Sequence, residues 1–406
     1  MSSSTPTTAP ATTRIRAAGT PGRSDVVIVG AGIIGLAHAF EALSNGLSVT
    51  VLDRDRQPVG ASVRNFGHCC ISAQDGELLA LAQRSRPGWL RAAKASGIWA
   101  EEAGTLVVAR SATEAAVLEE LRAERGGDAV RLRTAAETAA LLGRTDGGAR
   151  GDGGSSGSGG LVGGALLPAD LRVNPREAAP GLARWVAEQP HGRILWGTAV
   201  TGVESGTVHT TRGPVHGDRI LICVGHDLDY LFPDLAEDHG MQRCRLTMAR
   251  AAAPAAFRTH AAVLTATSML RYDAFTGRPS AARLREEVQG HSAELLEIGA
   301  NVMFTRLPDG TVLVGDSHHY DATTPPFVDE RTAELLIGAV ADVLGVQRLR
   351  ILERWQGVYA SSPRGPLLVR DLAPGVRALS VTSGIGMTLS FGLAAATFDG
   401  TLAPTA

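Results

Sequence analysis

The segment Val26–Gly35, VVIVGAGIIG, with Asp53 closing SVTVLD eighteen residues later, constrains this chain more than any other stretch. Val26 to Val29 read as a buried parallel strand, and Gly30, Gly32 and Gly35 fall in the GxGxxG spacing that turns such a strand into a helix. Gly30 permits the tight turn, Gly32 lets backbone approach a pyrophosphate, and Gly35 lets the helix pack close to the strand. Ile33 and Ile34 open that helix, whose unpaired N–H groups suit phosphates. Asp53, with Arg54 beside it, ends the second strand, Val49 to Leu52, where an acid accepts bonds from a ribose hydroxyl. Strand, turn, helix, strand and acid are in register, so the segment predicts a dinucleotide site.

The fingerprint serves NAD and FAD alike, and three later features favour FAD over an ordinary NAD dehydrogenase. Gly60, Ala61 and Ser62 lead into Val63, Arg64, Asn65, Phe66 and Gly67, a small hydroxyl-bearing turn from which Ser62 and Arg64 reach phosphates. From Ile194 to Val224 the chain reads as short strands through Val200, ending in RILICVG and placing Gly225 at a second close approach. The strand LSVT at Leu379 then enters a glycine turn, Ser383 to Thr388, with Gly384, Gly386, Met387 and Thr388 at the start of an apolar helix.

In this order the residues resemble the glycine oxidase and D-amino acid oxidase family of flavoproteins, from about residue 25 to 400. VVIVGAGIIG with Asp53, GAS at Gly60, RILICVGHDL and SGIGMTLSFG carry the resemblance. ASVRNFG (from Ala61), LRYDAF (from Leu270) and VGDSHHYD (from Val314) look most like a subgroup associated with aminophosphonate breakdown. The resemblance implies an α/β fold with an α+β part: a Rossmann-like FAD domain interleaved with a substrate domain on an antiparallel sheet. It also implies amine oxidation by hydride transfer to the flavin, with dioxygen or another electron acceptor as partner. The expected division gives 24–77, 165–239 and 355–406 to the FAD domain and 78–145 and 240–354 to the substrate domain. A disordered tail over 1–23 and a flexible Gly/Ser-rich loop over 146–164 complete it.

Composition narrows the class. At 406 residues and 44% hydrophobic, the chain can bury two cores, and a net charge of −2 without a basic stripe argues against nucleic acid. No apolar run is long enough for a membrane span. The four cysteines show neither CxxC nor zinc spacing and the histidines no HExxH, so reduced thiols, a cytoplasmic protein and no metal centre are expected.

Substrate groups come from residues able to face a cleft. Arg271 with Tyr272, His318 and His319 before Tyr320, and Tyr359 are the candidates; Arg243 and Arg245, two apart on a strand, are a second pair. The plainer reading is that such arginines snorkel at a sheet edge and such histidines satisfy backbone groups. An amine oxidase must fix the anionic end of a small amine. One forked arginine and a tyrosine suffice for a carboxylate, and a phosphonate calls for more donors, such as His318, His319 or Arg64. Lys94 is the only lysine and lies near no cofactor motif, so the flavin-side lysine of sarcosine-oxidase-like relatives is missing here. The cysteine and histidine that tether flavin in sarcosine-oxidase-like and dimethylglycine-dehydrogenase-like relatives match Gly357 and Arg64, so FAD is expected to be non-covalent. The expected substrate is an aminophosphonate such as 2-aminoethylphosphonate or its N-methyl derivative, with glycine, sarcosine or a D-amino acid as the alternative.

Overall fold

The computed structural model describes residues 22–144 and 160–405. The expected tail and glycine-rich loop therefore lie largely outside the described residues. At their margins, Arg23 pairs with Asp218, and Gly163 and Gly164 already belong to a strand, Gly163–Leu167. The loop expected to run to residue 164 thus ends earlier.

Among the described residues, an eight-stranded sheet carries the fingerprint. Ser24–Val29 lies at its centre, parallel to Val49–Leu52 on one side and to Val215–Ile222 on the other, with Gly192–Leu195 beyond Val49–Leu52. Both faces of such a strand are covered, which is why Val26, Val27, Ile28 and Val29 are apolar without alternation. Helix Ile33–Ser44 returns across it, and the C-terminal helix Gly386–Phe398 packs alongside.

The helix Gly76–Ser96, expected in the substrate part, instead packs on the C-terminal helix. Trp89 is fully buried against Phe391, with ring centroids 4.9 Å apart, and donates its indole N–H to the Met387 carbonyl at 2.8 Å. The backbones come so close that a Cβ at Gly392 would lie 2.1 Å from the Leu81 carbonyl oxygen. Ala82, Trp89 and Ala92 share one core with Val26, Ile28 and Phe391. An amphipathic helix announces that it buries a stripe, not which core receives it.

A nine-stranded sheet, largely antiparallel, forms the second body. Its long strand Gln242–Ala252 pairs with Ile351–Ser361 along most of its length and with Thr311–Gly315. Thr105–Ala109 and Gly163–Leu167 extend it, so 163–167 sits with this sheet and not with the nucleotide sheet. So does the whole of Ile351–Ser361, across the boundary expected at 355. A three-stranded sheet, His68–Cys69, Leu171–Val173 and Ala100–Glu101, joins the two bodies. No helix among the described residues is long and apolar enough to cross a membrane.

Candidate functional site

One cavity of about 710 Å³ runs from the glycine turn to the junction of the two sheets, within the ~300–1,000 Å³ typical of ligand sites. The expected cofactor residues Gly30, Gly32, Ile33, Ile34, Asp53, Arg54, Ser62, Arg64, Asn65, Val200, Gly225, Gly384, Gly386, Met387 and Thr388 all line it. Gly35 does not. A Cβ there would fall 2.0 Å from the Gly30 carbonyl oxygen, so Gly35 allows helix and strand to touch.

At the nucleotide end, Gly30 has φ +104° and a Cβ on it would meet the Cys223 carbonyl at 2.4 Å. Its glycine is thus required by the neighbouring strand as well as by the turn. Asp53 accepts from the Ala31 N–H at 2.7 Å and from the Asp55 N–H at 2.8 Å, and burial raises its pKa against those bonds. Ser62 Oγ accepts from the Ile33 N–H at 2.8 Å, which places the hydroxyl at the helix N-terminus. Arg54 pairs with Asp227 at 2.7 Å. Arg64 is exposed and forms no ion pair among the described residues. Asn65 spends its amide on the Ala61 and Ser62 carbonyls and on the Gly67 N–H, so it shapes the turn. Arg172, fully buried beneath, donates to the Phe66, Gly67 and His260 carbonyls and fastens that turn from below.

At the C-terminal turn, Thr388 accepts from the Cys70 N–H at 2.9 Å. Gly384 has φ +77°, and a Cβ would lie 2.7 Å from the Tyr359 ring. The turn that approaches the cofactor is therefore pressed against a residue expected to hold substrate.

The junction end collects Arg271, Tyr272, His318 and Tyr359 in one wall. Arg271 donates to Tyr359 Oη at 2.8 Å and to Tyr320 Oη at 3.4 Å, and it forms no salt bridge among the described residues. Burial opposes its charge, but Tyr359, Tyr320 and Asp316 more than offset that and raise its pKa. Tyr272 and Tyr359 are pushed up by burial and stay as phenols. The Tyr272 hydroxyl reaches Met303 Sδ, a weak acceptor, at 3.9 Å, and the Asn301 side chain also bonds to it. His318 donates from Nδ1 to the Gly299 carbonyl at 2.8 Å and is held neutral by burial and by Arg271.

His319 is not in this wall. It is exposed on the edge strand His319–Asp321, whose alternation turns it away from Arg271 while Tyr320 reaches it. Arg243 lines the cavity but is bound to Asp229 at 2.7 and 3.0 Å, and Arg245 donates to the Phe327 carbonyl outside it. Neither is free to take a substrate anion. Two residues of the wall had no signal in the sequence, Asp316 and Asn301, which face each other across reciprocal backbone bonds of 2.8 and 2.9 Å. Burial raises the Asp316 carboxyl to about 7, although Arg271 and Asn301 pull it back.

All four cysteines are buried and free. Cys70, His68 and Asp170 bring three donor atoms within 4.8 Å of one another, a proximity that chain spacing did not announce. Asp170 already accepts from Thr105 Oγ1 and, at 2.6 Å, from the Ser72 N–H, with His68 Nε2 at 3.2 Å. It ties the segment after the NFG turn to the larger sheet.

The chain belongs to the DAO family of FAD dependent oxidoreductases, which it matches over residues 25–399. FAD is accordingly its cofactor, and the cavity fits it: a glycine cradle, a strand-end acid and two helix N-termini face one space. No curated protein sequence matches the chain. Among solved structures, it resembles glycine oxidase from Geobacillus kaustophilus at 18% identity and a TM-score of 0.70, over 94% of this chain and 96% of that one. L-proline dehydrogenase from P. horikoshii is 16% identical with a TM-score of 0.72, over 94% of each chain. The L-alpha-glycerophosphate oxidase of Mycoplasma pneumoniae, with FAD bound, is 18% identical with a TM-score of 0.67, over 95% of this chain and 96% of that one. These are likenesses of fold.

Proposed function

We propose that this protein oxidises a small zwitterionic amine, with Arg271 holding the anionic end of the substrate and an aminophosphonate as the favoured class. The observation that carries this reading is Arg271 itself: a half-buried, permanently charged fork, lining the cavity, bound to two phenols and, among the described residues, in a salt bridge with no carboxylate. A cation that faces a cavity with neutral hydrogen-bond partners suits a ligand that brings an anion. The glycine oxidase and L-proline dehydrogenase likenesses support a substrate with an amine.

FAD, held by Gly30, Gly32, Ser62, Asp53 and the turn Gly384–Thr388, supplies acceptance of a hydride. The chain's own residues bind, orient and exclude water. Arg271 fixes the anion by paired bonds, and the Tyr359 and Tyr272 hydroxyls, which line the same cavity, add donors on its flank. Neutral His318, its Nδ1 committed to Gly299, fills the wall without adding charge. Fixing one end of a small molecule against a rigid sheet limits the orientations of its carbon–hydrogen bond.

Three oxygens on a phosphonate call for more donors than Arg271 alone, and Tyr272, Tyr359 and Arg64 line the same cavity, Arg64 in no ion pair among the described residues. A carboxylate needs only Arg271 and Tyr359, so glycine, sarcosine and D-amino acids are the second reading. Anaerobic mixing with 2-aminoethylphosphonate, its N-methyl derivative, glycine, sarcosine and D-alanine tests the pair: the substrate bleaches the flavin. Bleaching by amino acids alone removes the phosphonate, and bleaching by none removes the amine.

A further inference from the structure

Asp316 has the surroundings of a group waiting for a partner. It is 4% exposed, lines the cavity, and its Oδ1 has no hydrogen-bond partner. Its backbone N–H and carbonyl both pair with Asn301, which fixes the direction in which the side chain leaves the strand end. The nearest ring nitrogen, His318 Nε2, is 3.8 Å from Oδ2. Because His318 Nδ1 faces a carbonyl, that nitrogen carries the proton, and Nε2 of the neutral ring has none to give. Arg271, Tyr272 and Cys244 are the other ionisable groups whose charge Asp316 senses, with Tyr359 and Tyr320 behind Arg271. Arg271 is the cation among them, and its donors point to the two phenols. The Asn301 side chain is the hydrogen-bonding group that favours its charged form, and a buried carboxyl with one empty oxygen is costly unless a cation or a proton comes to it.

Resting on the amine reading above, we propose that Asp316 faces the substrate nitrogen and takes a proton from it, so that Arg271 and Asp316 together read a zwitterion. The substrate enters with its anion on Arg271 and its ammonium beside Asp316. One N–H bond breaks and the proton goes to Asp316 Oδ1, leaving the nitrogen lone pair free. The carbon-bound hydrogen then leaves with its electron pair to FAD, and the lone pair forms the C=N bond. The amine loses two electrons, the cofactor gains two, and the proton on Asp316 returns to solvent as the product departs as an iminium cation. The sign follows from ionisation: Asp316 must be a carboxylate to accept, and its pKa of about 7 makes the carboxylate fraction grow as pH rises through neutrality.

The test is stopped-flow flavin reduction by the best amine of the panel between pH 5.5 and 9.5, in holoenzyme and in Asp316→Asn. The wild-type rate constant should rise through about pH 7. In Asp316→Asn it should fall about 100-fold or more at pH 7.5, and its rise should move towards the ionisation of the free amine, near pH ~10. Asp316→Glu should restore the lower rise in part. A second readout needs no turnover: trimethylglycine, a zwitterion with no N–H, titrated against the flavin spectrum of wild-type holoenzyme. Its Kd should tighten as pH rises through about 7 and be flat in Asp316→Asn. An unchanged pH profile in the variant, or pH-independent trimethylglycine binding by the wild type, overturns the role of Asp316 while the amine reading stands. Failure of every amine to reduce the wild-type flavin overturns both.

Discussion

Replacing Arg271 should separate substrate capture from cofactor binding. Its guanidinium is 2.8 Å from Tyr359 Oη and 3.4 Å from Tyr320 Oη, and every cofactor contact described above is made by other residues. Arg271→Ala leaves the substrate anion facing phenols alone in a desolvated wall, a loss of ~2–5 kcal/mol for a truncated buried charge pair. At 1.36 kcal/mol per tenfold, that is a fall of about 30- to 5,000-fold in kcat/KM. Arg271→Lys keeps the charge but loses the fork, so the loss should be about tenfold, close to one charged hydrogen bond of ~1.5 kcal/mol. Removing the cation also removes the group that pulls the Asp316 carboxyl down, so the rise of rate with pH should move above about 7. Steady-state kinetics across pH, with flavin content measured for each variant, is the assay. Wild-type kcat/KM in Arg271→Ala, or loss of FAD in proportion to activity, would refute the reasoning.

Gly32→Val should yield folded protein without FAD, because the side chain enters the cavity beside Ser62, 3.3 Å from the position of a Cβ; full occupancy in its absorbance spectrum would contradict this. The flavin should pass into the supernatant on acid precipitation, since Gly357 and Arg64 offer no nucleophile at the tether positions, and colour in the pellet would show a covalent bond. Gly384→Ala should raise KM more than it lowers FAD content, because its Cβ presses on Tyr359 from a backbone at φ +77° that disfavours side chains. Asp170→Ala should lower stability by ~1–3 kcal/mol, leaving the Ser72 N–H without its acceptor and Thr105 and His68 with only each other in the interior; an unchanged denaturant midpoint would count against that network.

The nucleotide half was legible because its determinants are local. Three glycines, a strand and an acid lie within thirty residues, and each has a backbone reason that any neighbour in sequence can reveal. Of the proposed anion site, the sequence singled out Arg271, Tyr272, His318 and Tyr359, which come from three distant segments and line one cavity. What failed was everything decided by partners. Arg243 looks as available as Arg271 until Asp229 is found beside it across the sheet. His319 and Tyr320 are adjacent, and only the phase of a three-residue strand says which one reaches Arg271. Gly76–Ser96 was assigned to the wrong body because its apolar stripe would suit either core. Asp316 ends the strand TVLVG like many surface acids, and only the pairing of residues 301 and 316 turns it inward.

That pairing bears on how the two bodies act together. Ile351–Ser361 is part of the larger sheet, yet Tyr359 on it touches Gly384 of the cofactor turn, and Ser361 bridges to Ser383. From the same sheet, Thr305 Oγ1 donates to the Phe66 carbonyl at 2.9 Å, and Arg172 holds that turn from the joining sheet. The cofactor turns are thus braced by the strands that carry the anion site, at both ends of the junction. In a fold with separate sheets for cofactor and substrate, the distance between hydride acceptor and donor carbon depends on such contacts, and an error of about 1 Å costs roughly 100-fold in rate. Phe66, whose carbonyl Thr305 and Arg172 hold, therefore bears on turnover without touching the anion, and its variants should change kcat more than substrate affinity.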